Sequence, residues 1–208
     1  MDLELEIKTK SFSNADIRAV AALHAQAIAG GFLSTLPQGF LALLYAQIVQ
    51  SPYSVLTVAV YRGNITGFIA GTLNAKRLYS DFLKNNLFRA GFHLLPWVFS
   101  ARFLRKVFET LTYTQNKTAA LVTESELVSM AVSENVRGRG IAQALFDSFV
   151  EEQKKIGADS FRIVAGQKLE AANRFYLRMG ANKVGEIEVH AGDISNLYLY
   201  KLDTAEKK

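Results

Sequence analysis

Two arginines and two glycines stand where a hydrophobic run gives way to a helical pattern, in the stretch SENVRGRGIAQAL at residues 133–145. These residue types suit anion binding. The first amides of a helix have no intrahelical acceptor, and the helix dipole places about half a positive charge beside them. Gly138, Gly140 and the small Ala142 would let an anion approach that backbone, while Arg137 and Arg139 add full charges. Phosphate oxygens are the natural ligand of such a junction. The same residues also fit a glycine-rich turn whose arginines are simply solvated. A P-loop would require a Gly-Lys-Ser/Thr ending, which is missing, and a dinucleotide fingerprint would require Gly or Ala where Gln143 stands. The acid that binds the ribose in that fingerprint should end the following strand, whereas Asp159 precedes one.

The elements that must position the junction follow from periodicity. Residues 3–8 alternate as a half-buried strand, and Ser13 or Asn14 caps a helix that the pair Gly30-Gly31 should end. A second helix covers 39–49, and two β-branched runs flank Arg62-Gly63-Asn64 as a hairpin. Residues 124–132 read as a strand and 139–156 as a helix with Ile141, Leu145 and Phe149 on one face, closed by Gly157. A strand at 161–165, a helix at 171–179 ended by Gly180, and strands at 183–189 and 194–202 complete the chain. Strands that both alternate with helices and pair as hairpins predict a mixed sheet in an α/β or α+β fold.

Composition narrows the function classes. The chain has 208 residues, half of them hydrophobic, with no linker-like stretch. One domain over 1–203 is expected, with a helical insert at 79–113 and a polar tail at 204–208. There is no cysteine, and His24, His93 and His190 lie far apart, so no metal site is expected. The acidic, alternating N-terminus is unlike a secretory signal, which makes a cytoplasmic location the expectation. A net charge of +5 suits an anionic small molecule as well as a nucleic acid or a membrane surface. Nothing resembles a nucleic-acid motif. Within the insert, Phe103, Leu104, Val107, Phe108 and Leu111 share a helical face, with Arg102, Arg105 and Lys106 toward the other. That pattern over 97–111 fits contact with a membrane surface, with the rest of the domain or with a second copy in a homodimer. Its charge-free runs are too short to span a bilayer.

A more specific signal comes from two motifs together. Met130-Ala131-Val132 followed by Arg137-x-x-Gly140-x-Ala142 at a helix start resembles the acyl-CoA motif of the GNAT superfamily of N-acyltransferases, written Q/R-x-x-G-x-G/A. Downstream, AANRFYLRMGANKVGE resembles the second motif of that family, a helix carrying A-x-x-x-Y and ending in Gly, here Ala172, Tyr176 and Gly180. The succession of elements agrees with the family apart from the insert. The resemblance implies a central twisted mixed sheet, acetyl-CoA as cosubstrate, and a small-molecule amine as acceptor. A weaker likeness to members of bacterial surface-polysaccharide synthesis points to an amino sugar.

Carried over residue by residue, the resemblance implies that the backbone from Arg137 through Gly138, Arg139, Gly140 and Ile141 to Ala142 wraps the CoA diphosphate. The strand through Met130, Ala131 and Val132 would pair with the pantetheine arm, and an amide near Val132 would face the oxyanion. Many members carry an Asn at the position of Leu169, so Asn173 is a substitute candidate for cofactor contact. Tyr176 falls where the family's tyrosine protonates the departing sulfur, although beside Phe175 it also fits plain packing. For the general base, Glu124 and Glu126 lie at the start of the strand. Glu126 adjoins the apolar run, where burial would raise a carboxyl pKa, and strict alternation would put Glu124, Glu126, Val128 and Met130 on one face. His24 and His190 are the alternatives. A basic binding module, or an acyl-CoA binder without catalysis, is the competing function.

Overall fold

The computed structural model describes residues 5–28, 32–94, 122–190 and 193–203. Strand β1 (Leu5–Lys8) leads into helix α1 (Asn14–Ala27), a 3-10 turn (Phe32–Thr35) and helix α2 (Gln38–Gln50). The hairpin β2 (Ser54–Tyr61) and β3 (Asn64–Thr72) is followed by α3 (Ala75–Leu94), which opens the predicted insert. The second half runs β4 (Glu126–Val132), a 3-10 turn (Glu134–Val136), α4 (Ile141–Lys155), β5 (Ser160–Gly166), α5 (Glu170–Arg178), β6 (Asn182–His190) and β7 (Asp193–Lys201). The order of elements is the one periodicity predicts. The stripe at 103–111 and the Gly30-Gly31 pair lie outside the described residues, as does the tail.

Local chemistry explains the boundaries. Ser13 caps α1: its Oγ accepts from the Asp16 amide at 3.1 Å while Asp16 accepts from the Ser13 amide at 2.8 Å, a reciprocal pair that satisfies two helix-end donors. Arg62 and Gly63 both have positive φ, the conformation that a two-residue hairpin turn demands.

Seven strands form one sheet in the order β1-β2-β3-β4-β5-β7-β6. Every neighbouring pair is antiparallel except β4–β5. One face packs on α1, α2 and α3 through Val20, Leu41, Tyr45, Phe68 and Phe82. The other packs on α4 and α5 through Leu145, Phe146, Phe149, Phe161 and Tyr176. Both cores are apolar, as two helical layers on a mixed sheet require.

Two irregularities lie at the centre of the sheet. Strands β4 and β5 pair only at Glu126↔Arg162 and Leu127↔Ile163 and then part. Opposite β3, the register passes from Gly71↔Leu127 to Ala70↔Ser129, leaving Val128 as an extra residue, a β-bulge. The bulge overturns strict alternation: Val128 packs toward α1 and α2, while Met130 packs toward α4 and α5. Gly71 faces the irregularity because a side chain there would run into the Phe149 ring and the Glu126 carbonyl.

Candidate active site

The wedge between β4 and β5 is the centre of the site. Past Leu127 the β5-facing edge of β4 has lost its strand partner, and its other edge stays paired with β3 as far as Val132. An unpaired strand edge buried in the middle of a sheet is a template for an extended ligand with amide groups. Met130 and Val132 pack in the same core cluster as Ile141 and Tyr176, so the strand, the start of α4 and α5 border one region.

The arginine-glycine junction closes one end of the wedge. Helix α4 begins at Ile141 with Gly140 as its N-cap, and Gly140 offers no side chain to bond the first amides. Gly138 and Gly140 have φ of +78° and +76°, a region costly for any residue with a Cβ, and no atom lies within 4 Å of where that Cβ would be. The glycines thus set the turn and leave open space above the helix end. Residues 137–140 are exposed, whereas Ile141 anchors the turn in the core. Arg137 folds back, donating from Nε to the Val132 carbonyl at 3.3 Å and pairing with Glu134 at 3.1 Å, so it ties the turn to the end of β4. Arg139 lies over the Tyr61 ring at 5.9 Å and has no acidic partner among the described residues. These residues fit a diphosphate: uncapped helix amides, a Cβ-free approach and a cation without a carboxylate.

Tyr176 is buried in α5 against Phe175 and Tyr198. Burial pushes its phenol above the ordinary tyrosine range, so the proton stays on at neutral pH. Among the described residues the hydroxyl has no hydrogen-bond partner, which leaves its proton uncommitted.

Two other sequence candidates are differently engaged. Glu126 is buried, and its Oε2 accepts from Nε and Nη2 of Arg162 at 2.8 and 2.7 Å, across the first of the two β4–β5 pairs. Arg162 Nη1 also donates to the Thr123 carbonyl at 3.0 Å. The carboxylate is therefore tied into a buried ion pair, a partner that sequence spacing alone did not reveal. Glu124 is exposed and bonded by Asn74. Asn173 uses both ends of its amide internally: Nδ2 donates to the carbonyls of Gly166 and Leu169 at 2.9 and 2.8 Å, and Oδ1 accepts from Asn196 and Tyr198 at 2.8 and 2.7 Å. Its side chain knots the β5–α5 loop to β7. The His190 side chain lies outside the described residues.

His24 is fully buried and stacked on Phe68, and burial pushes its pKa down to about 4. Such a ring is neutral at pH 7. In the unfolded chain it titrates near 6.5, so between about 6.5 and 4 the unfolded state binds more protons and acidification favours it. His24 should therefore cost the fold about 3 kcal/mol as the pH drops through that window, at 1.36 kcal/mol per pKa unit. Urea melts of the wild type and of His24→Gln at pH 7 and 4.5 check this: the variant's stability should change less between the two pH values.

Comparison with known proteins agrees with this geometry. Residues 105–180, which include β4, the arginine-glycine junction, α4, β5 and α5, match the acetyltransferase (GNAT) domain family. Over that stretch the chain is similar to GNAT acetyltransferases. No curated protein matches it by sequence. In fold, the chain is similar to the ribosomal-protein-S18-alanine N-acetyltransferase of Escherichia coli, at 12% identity with 98% of each chain covered and a TM-score of 0.59. It is equally similar to YncA of Salmonella typhimurium, solved with its cofactor acetyl-CoA, at 14% identity, 99% and 98% coverage and a TM-score of 0.59. A third neighbour is Arabidopsis thaliana NAA60 in complex with acetyl-CoA, at 15% identity, 95% and 98% coverage and a TM-score of 0.58. The likeness to GNAT folds thus extends over nearly the whole chain. Among the described residues no helix is long and apolar enough to cross a membrane, and no cluster of three metal-ligating side chains forms.

Proposed function

We propose that this chain is a GNAT-type acetyltransferase that moves the acetyl group of acetyl-CoA to the primary amine of a small molecule, with an amino sugar as the leading acceptor class. One observation carries the cosubstrate half: an uncapped helix end with two Cβ-free positions opens directly onto a strand edge that has lost its neighbour. Amides at the start of α4 would hold the diphosphate, with Arg139 as counter-charge. The edge of Met130, Ala131 and Val132 would pair with the amides of the pantetheine arm. Acetyl-CoA supplies an activated acyl carbonyl. The chain supplies alignment along β4, a main-chain donor for the oxyanion, and a phenol proton at Tyr176 for the sulfur that departs. The role proposed for Glu126 is structural. Paired with Arg162, it pins β4 to β5 just before the wedge opens.

The acceptor half rests on the sequence likeness to polysaccharide-associated members. The competing acceptor is a peptide α-amine, since the E. coli neighbour is named for alanine acetylation on a ribosomal protein. Thiol release from acetyl-CoA separates them when amino sugars, polyamines, amino acids and alanyl peptides are offered in turn. Amino sugars should give the largest kcat/KM. Turnover of peptides alone would overturn the acceptor assignment. No release with any amine, and no rise in Tm with millimolar acetyl-CoA, would overturn the cosubstrate assignment as well.

A further inference from the structure

The sheet face opposite α4 carries a polar cluster that the proposed chemistry does not use. His24 of α1, Tyr45 of α2 and Ser129 of β4 meet inside an otherwise apolar core, at 1%, 1% and 9% exposure. Tyr45 lies with its hydroxyl 2.6 Å from Nδ1 of His24, and the Ser129 hydroxyl lies 3.4 Å from that nitrogen. An imidazole nitrogen has a single in-plane lone pair. Tyr45 at the shorter distance holds that position most directly, and the Ser129 hydroxyl converges on the same nitrogen from β4. The imidazole of α1 is thus the meeting point of β4 and α2.

A hydroxyl that donates to Nδ1 sets the tautomer. A neutral imidazole that accepts at Nδ1 carries its proton on Nε2. Nε2 is buried, with no hydrogen-bond partner among the described residues. An orphaned buried donor is a burden that an all-apolar cluster of the same shape would avoid, so the three polar groups call for a reason beyond packing. Their place supplies one. Ser129 is the first residue after the Val128 bulge, on the stretch of β4 that has left β5 and is held by strand pairing only from β3.

We propose that Ser129, Tyr45 and His24 form a positioning relay for acyl transfer, tethering the segment of β4 after the bulge to α2 and α1 from a direction the sheet itself does not provide. The relay rests on the acetyltransferase reading of the wedge. None of the three side chains takes part in bond making. They act through the main chain of Ser129 and Met130, which must keep its edge amides in line with the acyl group. Because the tether acts on alignment, its loss lowers turnover and leaves acetyl-CoA binding intact.

Two measurements test this on the full chain. In the first, thiol release from acetyl-CoA is followed with the best amine of the acceptor panel, for Ser129→Ala, Ser129→Thr and Tyr45→Phe. Ser129→Ala and Tyr45→Phe should lower kcat about tenfold, the scale of one lost buried hydrogen bond. KM for acetyl-CoA should stay within twofold, and Ser129→Thr, which keeps the hydroxyl, should restore most of the rate. Wild-type kcat in Ser129→Ala, or an equal loss in Ser129→Thr, would overturn the relay. The second is the 15N spectrum of the histidines, which needs no acceptor. His24 should show a proton on Nε2 and a bare Nδ1 at pH 7, and Tyr45→Phe should perturb Nδ1. A proton on Nδ1 in the wild type would overturn the relay even if no amine proved to be a substrate. If the wild type neither releases thiol nor binds acetyl-CoA while the ring is as described, the enzymatic reading fails and the relay falls with it, leaving the hydrogen-bond chain as structure alone.

Discussion

Glu126→Ala is expected to destabilise the fold by about 3–5 kcal/mol, the cost of leaving one member of a buried ion pair without its partner. Arg162 and Glu126 have 2% and 3% exposed side chains, and two guanidinium nitrogens converge on one carboxylate oxygen. Once Glu126 is truncated, the guanidinium keeps its bond to the Thr123 carbonyl but loses the carboxylate that engages two of its nitrogens. In a domain of this size the loss should appear as a fall of roughly 6–20 °C in Tm. The paired variant Glu126→Leu with Arg162→Met removes both charges, and it should recover most of the stability because the desolvation cost disappears with the charges. A paired variant no more stable than Glu126→Ala would place the effect in packing. A carboxylate acting as the base would show differently, as lost turnover in a paired variant whose stability has returned.

Tyr176→Phe is expected to lower kcat about a hundredfold or more, the scale of a removed general acid, with little change in acetyl-CoA affinity. The ring stays packed among Phe175 and Tyr198, and only a hydroxyl without a partner among the described residues is lost, so the fold has little to lose. Burial holds the phenol protonated, so the wild-type kcat profile should show no ionisation from Tyr176 across the neutral range. Kinetics of both proteins from about pH 6 to 9 check the claim. Unchanged kcat in Tyr176→Phe would remove the tyrosine from the chemistry.

The contrast between what spacing revealed and what it hid has a physical basis. Helix caps, turn glycines and the junction at residues 137–142 are local, written in neighbours a few positions apart, and they lie in the structure where the sequence puts them. Long-range partners are another matter. Glu126 and Arg162 are 36 positions apart, and only the parallel register brings them opposite each other. The bulge at Val128 is equally hidden, because one inserted residue reverses which side chains share a face without altering the hydrophobic pattern. Asn173 shows the same limit at short range. Its position on α5 suits a ligand contact, yet the amide is bonded on both sides by β5, β7 and its own loop.

Amide spectra recorded during a CoA titration test the central claim most directly. If the turn into α4 grips the diphosphate, the amides from Gly138 to Gln143 should shift first and furthest, with those of β4 from Ser129 to Val132 following. Tight CoA binding that leaves the amides of residues 138–143 unmoved would contradict it.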